Sequence, residues 1–137
     1  MMYPECIRLR KDQWRAMMEH VLSCLPEEAC GLLGGEGNNV LSVRPVKNIS
    51  KSSYRFRMDP SEQIKAMFEI EEQGHQIVAI YHSHPVGSEV PSELDKNEAA
   101  YQEAAYLIWY PSGEKWNCRA FVMMAEGYEE IPIELDP

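Results

Sequence analysis

QIVAIYHSHPVGSEVPSELD, residues 76–95, is the stretch on which the reading of this chain turns. Its first six residues form a nearly continuous apolar run rather than an alternating one. That pattern belongs to a strand buried on both faces, at the centre of a sheet with helices packed on it. At the carboxyl end of the run stand His82 and His84. In extended chain, residues two apart leave the backbone on the same face, about 6–7 Å apart, so both imidazoles can converge on one ion. Ser83 points to the other face and makes a poor partner for either histidine as a nucleophile. Pro85 then turns the chain away. Asp95 returns eleven residues after His84, on the first turn of a helix that starts near Ser92. A catalytic zinc takes three protein ligands and keeps one position for water, and two neutral imidazoles with one carboxylate leave the ion a net positive charge.

Spacing alone leaves plainer readings open. A histidine pair at a strand end is ordinarily a polar terminus with satisfied hydrogen bonds. Ser92 and Asp95 also fit a capping box, S-x-x-D, with Ser92 as N-cap and Asp95 at the third helical position.

Working outward, residues 5–9 read as a short strand. Residues 11–24 place Trp14, Met17, Met18, Val21 and Leu22 at helical spacing, and Pro26 blocks continuation. Residues 28–35 and 40–46 flank the polar turn EGNN and read as a hairpin. The glycines of GLLGGEG match neither phosphate-binding pattern, and a strand rather than a helix follows them. Residues 53–58 alternate like a strand. Asp59-Pro60-Ser61-Glu62 is a helix start, with Asp59 as N-cap and Pro60 at the first helical position, and Gly74 ends that helix after about Gln73. Residues 105–110, 117–124 and 128–135 read as three further strands. Strand–helix units mixed with hairpins imply an α/β protein with a mixed β-sheet flanked by helices, in one domain spanning 1–137.

Composition limits the alternatives. The chain has 137 residues, 45% hydrophobic and 26% charged, with a net charge of −9. Such an acidic surface repels phosphate backbones, so no nucleic acid is expected as a partner. No stretch approaches the ~20 apolar residues of a membrane span, and the start carries no signal-peptide pattern, so a cytoplasmic location is expected. Four cysteines, Cys6, Cys24, Cys30 and Cys118, form no C-x-x-C pair. Reduced, buried thiols are the expectation.

The segment HSHPVGSEVPSELD resembles the signature of the JAMM (MPN-plus) metalloprotease family: H-x-H-P, a serine eight positions after the second histidine, and an aspartate three further on. His82, His84, Pro85, Ser92 and Asp95 match it. The family also carries a glutamate on an earlier strand in a context like P-x-E-x-C-G; here Pro26-Glu27-Glu28-Ala29-Cys30-Gly31 puts Glu28 in that place. The resemblance, to the compact stand-alone prokaryotic members, implies the MPN/JAB-domain (cytidine-deaminase-like) architecture. It implies zinc held by His82, His84 and Asp95. Glu28 would be the base that takes a proton from the attacking water, and Ser92 the donor to the developing oxyanion. It further implies, as substrate, a ubiquitin-like or sulfur-carrier protein with a Gly-Gly tail, cut after the second glycine. The tail would add as a strand beside residues 53–58, making Tyr54, Arg55 and Phe56 the candidate substrate-binding residues. A metal-free scaffold that only binds partners is the competing reading; inactive relatives usually lack one or more of these residues, and all are present.

Overall fold

The coordinates are a computed structural model describing residues 3–99, 101 and 103–136. Among them, eight strands form one sheet: β1 Ile7–Arg10, β2 Cys30–Glu36, β3 Asn39–Val46, β4 Gln76–Ser83, β5 Ala105–Ser112, β6 Lys115–Met124, β7 Gly127–Ile131 and β8 Ile133–Asp136. The order across the sheet is β7-β6-β5-β4-β2-β3-β1-β8. It is mixed: β4 pairs parallel with β5 and antiparallel with β2, and β1 pairs parallel with both β3 and β8. The apolar run at 76–81 is the central strand its composition called for, with Val78 to Ser83 all buried.

Helix α1, Lys11–Cys24, covers one face, and α2, Pro60–Glu72, the other. Ile7, Leu9, Met17, Val21, Leu33, Tyr81, Leu107 and Trp109 belong to the core under α1. A second apolar cluster, including Leu32, Met58, Ala66, Ile70 and Ile80, lies under α2. The start of α2 is as expected: Asp59 accepts from the Ser61 N–H, with Pro60 at the first position. Gly74 ends it in the left-handed region, φ 77°, with its N–H on the Glu71 carbonyl. Glu62 does not close a capping box; its carboxylate takes the Lys47 N–H and ties the helix to the chain leaving β3. A short third helix, α3, spans Glu93–Glu98.

Three expectations need correction. Leu22 is not a core residue of α1: it is 44% exposed, while Gln13 is buried. The Gln13 amide donates to the Val40 carbonyl and accepts from the Arg10 N–H, so a polar residue closes the helix start onto β3. Residues 53–58 do not form a strand of the sheet; the one ladder contact there is an isolated bridge between Asn48 and Met58. The cause is Asn48, whose side chain accepts from the Ser50 and Arg57 N–H groups and donates to the Arg55 and Glu28 carbonyls. One buried amide thus takes up hydrogen bonds that a partner strand would otherwise supply. Finally, 128–135 is not one strand. Pro132 has no N–H to donate and interrupts the ladder, so β7 pairs with β6 at one edge and β8 with β1 at the other. Two edges joined by a single residue lie within about 7 Å at that point, so the sheet curls almost closed around α1.

Candidate metal centre

Strand β4 delivers the two histidines. His82 is its penultimate residue and registers against Cys30 of β2 on one side and Ile108 of β5 on the other. His84 follows the strand and is fixed by its N–H on the Trp109 carbonyl, 2.8 Å. Between them Ser83 faces away, as expected; its hydroxyl accepts from the Ala29 N–H at 2.8 Å. Ser92 begins α3 as its N-cap, accepting from the Asp95 N–H at 3.0 Å, while an Asp95 carboxylate oxygen accepts from the Ser92 N–H at 2.8 Å. The capping box therefore exists, and it aims the Asp95 carboxylate at the histidines.

The three side chains meet. The two Nε2 atoms are 3.0 Å apart, and Asp95 places one oxygen 3.2 Å from His82 Nε2 and the other 3.0 Å from His84 Nε2. All the potential ligand atoms lie within 4.8 Å of one another. His84 Nδ1 is 3.0 Å from the Ser88 carbonyl. A carbonyl only accepts, so Nδ1 donates to it, and Nε2 is the ring nitrogen turned toward His82 and Asp95. His82 is wholly buried, and that burial holds its imidazole below its ordinary pKa against the opposing pull of Asp95, so it is neutral. Burial pushes the Asp95 carboxyl upward, but hydrogen bonds from both histidines outweigh it and leave the group well below the usual carboxylate range. Two imidazole nitrogens and a carboxylate, converging and shielded from water, are a donor set suited to a divalent cation.

Glu28 sits two residues before β2 rather than in the strand, anchored by its N–H on the Ser52 carbonyl. It is 2% exposed, its Oε1 has no hydrogen-bond partner among the described residues, and burial followed by the charge of Asp95 raises its pKa to about 9. A buried, unpartnered carboxyl beside a converging ligand set is what a positive charge at that point would stabilise.

Of the three candidate substrate contacts, the structure brings one to the centre. The Phe56 ring lies 4.7 Å from the His82 ring, centroid to centroid, at 30°. Tyr54 is 74% exposed, and Arg55 contributes its carbonyl to Asn48. Sequence reasoning passed over Asn48 and the Ser88 carbonyl. Neither carries a side-chain pattern that would mark it, since Asn48 acts through its fold-back contacts and Ser88 through its backbone. Cys30, close to the site, is buried, donates its thiol to the Val46 carbonyl, and has its pKa pushed up to about 12 by burial; it is inert.

The family model describing prokaryotic homologs of the JAB domain matches residues 10–123. The chain is 35% identical to a desampylase of Pyrococcus furiosus over 109 residues, covering 80% of this chain and 75% of that one. It is 33% identical to the CysO-cysteine peptidase of Mycobacterium tuberculosis over 102 residues, 73% of this chain and 70% of that one. A solution structure of a protein from Desulfitobacterium hafniense superposes with a TM-score of 0.85 at 36% identity, covering 95% of this chain and 92% of that one. A crystal structure of a JAB1/MPN-domain protein from Archaeoglobus fulgidus, 20% identical, shares the fold with a TM-score of 0.57, covering 96% of this chain and 97% of that one.

Proposed function

This chain belongs to the prokaryotic homologs of the JAB domain, and from that premise we propose that it is a zinc-dependent metallo-(iso)peptidase. It hydrolyses the amide bond after the C-terminal Gly-Gly of a ubiquitin-like or sulfur-carrier protein. The observation that carries the reading is the convergence of His82, His84 and Asp95 beside the unpartnered carboxyl of Glu28. Support comes also from the relatives, which include a desampylase and a CysO-cysteine peptidase.

In this reading His82, His84 and Asp95 hold the zinc. Bound there, zinc supplies the positive charge that polarises the scissile carbonyl, lowers the pKa of a water toward neutrality and draws Glu28 back into its ionised range. Ionised Glu28 takes a proton from the attacking water as its oxygen adds to the carbonyl carbon. The same carboxyl delivers that proton to the departing nitrogen as the C–N bond breaks, leaving a carboxylate on the tail and a free amine. The Ser92 hydroxyl spends an acceptor lone pair on its helix cap, so its proton is free to donate to the developing oxyanion. The tail lies extended along residues 53–58, whose Phe56 packs on His82.

The test offers Gly-Gly-tailed ubiquitin-like and sulfur-carrier fusions, joined to a lysine side chain or to a single amino acid, with and without a chelator. Cleavage after the second glycine that stops with chelator and returns with zinc is expected. Binding of such proteins with no cleavage of any fusion would overturn the peptidase reading in favour of a scaffold.

A further inference from the structure

A cavity of about 300 Å³ opens beside the centre, on the α2 face of the sheet. Its walls include Phe56 and Met58 from the chain before α2, Gln63 of α2, Ile80 of β4, Tyr106 of β5, and Tyr101. The tyrosine hydroxyls in this wall are already engaged, and the exposed Arg57 is the charged residue of the lining. The Tyr101 hydroxyl accepts from the Gln63 amide and donates to the Met67 sulfur, and the Tyr106 hydroxyl accepts from the Tyr101 N–H and donates to the Tyr101 carbonyl. Besides Arg57 and Gln63, the cavity offers an occupant aromatic and aliphatic surface.

Its position relative to the centre is metered by β4. Ile80 and His82 are two residues apart on one face of that strand, about 6–7 Å. Two extended glycines span the same distance. A tail whose second glycine lies at the centre therefore brings its first side chains over Ile80 and Phe56. The backbone beside this path is open. The bonds from Ile49 N–H to the Arg57 carbonyl and from Asp59 N–H to the Lys47 carbonyl put those groups toward β3. By alternation the N–H and C=O of Met58 face the opposite way, and no hydrogen bond among the described residues takes them up. A tail running from Met58 toward Phe56 can use them while its glycines pass His82.

From this we infer that the cavity is a specificity pocket for one apolar side chain, of leucine to tyrosine size, on one of the two residues immediately before the Gly-Gly pair. The inference rests on the peptidase reading and narrows its substrate class. Carriers with an apolar residue there are preferred over those with a small one.

The experiment uses full-length zinc-loaded enzyme and a fusion series in which each of the two residues before Gly-Gly is set in turn to Ala, Leu or Asp. At one position Leu is expected to lower KM about 10-fold or more relative to Ala, with kcat little changed. Gln63→Phe, which fills the cavity, is expected to bring the Leu-to-Ala ratio of kcat/KM toward one. Independently of turnover, a peptide ending in Leu-Gly-Gly should bind metal-free protein more tightly than its Ala counterpart in calorimetry, and Gln63→Phe should remove the difference. Equal kcat/KM for Ala, Leu and Asp at both positions, with cleavage intact, overturns the pocket and leaves the peptidase standing. No cleavage of any fusion overturns the peptidase reading itself.

Discussion

At the scale of single residues, Glu28 and Ser92 each carry two roles that substitution separates. Glu28→Gln keeps the shape and removes the proton carrier. It should retain one zinc by elemental analysis and lose about 10²–10⁴ in kcat; full activity would dismiss Glu28 as the base. In the metal-free protein the same residue gives a pH signature. Its folded pKa, about 9, lies above the unfolded value of 4.5. Folding therefore favours the protonated form, and that stability is complete below pH 4.5 and lost as pH rises through 9. Metal-free protein should melt progressively lower between pH 5 and 9, and Glu28→Gln should flatten that slope; parallel slopes for the two proteins would refute the buried-carboxyl assignment. Ser92→Ala should cost about 10²–10³ in kcat, together with about 1 kcal/mol for the lost cap. A lower melting temperature with normal kcat would leave Ser92 as a cap alone. The convergence of the two histidines and the capping by Ser92 were legible in the sequence because a two-residue spacing and a capping box are local geometry. The setting of the His84 ring was not, because a carbonyl four residues on, that of Ser88, holds its Nδ1.

Among the elements, the chain from Lys47 to Asp59 links the fold to the site. It ties back to Glu28 through Asn48 and lays Phe56 on His82. The alternation at 53–58 predicts a strand that does not form, since alternation says that side chains have two faces and not what completes the backbone ladder. Here a buried Asn side chain does so, and such a contact has no period to detect. The same limit explains Gln13 in α1, whose burial depends on a carbonyl 27 residues away. Asn48→Ala should remove four hydrogen bonds and leave buried carbonyls unpaired, costing about 2–4 kcal/mol in denaturant unfolding. It should also raise KM for Gly-Gly fusions more than it lowers kcat, because the segment beside the tail loosens while the ligands on β4 stay fixed. Unchanged stability and KM would show that the segment is held by other contacts.

For the molecule as a whole, closure of the sheet separates stability from chemistry. The 128–135 stretch reads as one strand because its apolar pattern runs through Pro132; where each half pairs is a property of the whole sheet, which no local pattern encodes. The consequence falls on β1. It meets β3 at a single register pair, Arg8 with Asn39, and β8 at four, from Ile7 with Ile133 to Arg10 with Asp136. Ile7 and Leu9, both essentially inaccessible to water, are core residues of the α1 face. Removing residues 133–137 strips β1 of most of its partners and lets those two side chains loosen, at about 1.5–3 kcal/mol each if fully exposed. The proposed metal ligands stand at the end of β4 and on α3, with β2 and β3 between β4 and β1. The truncated protein should therefore melt lower by about 5 °C or more and still bind one zinc with unchanged affinity in chelator competition at a temperature where it remains folded. If zinc affinity fell in step with the melting temperature, the closing strand would be part of what shapes the centre, and the division between a stabilising edge and a chemical middle would be wrong.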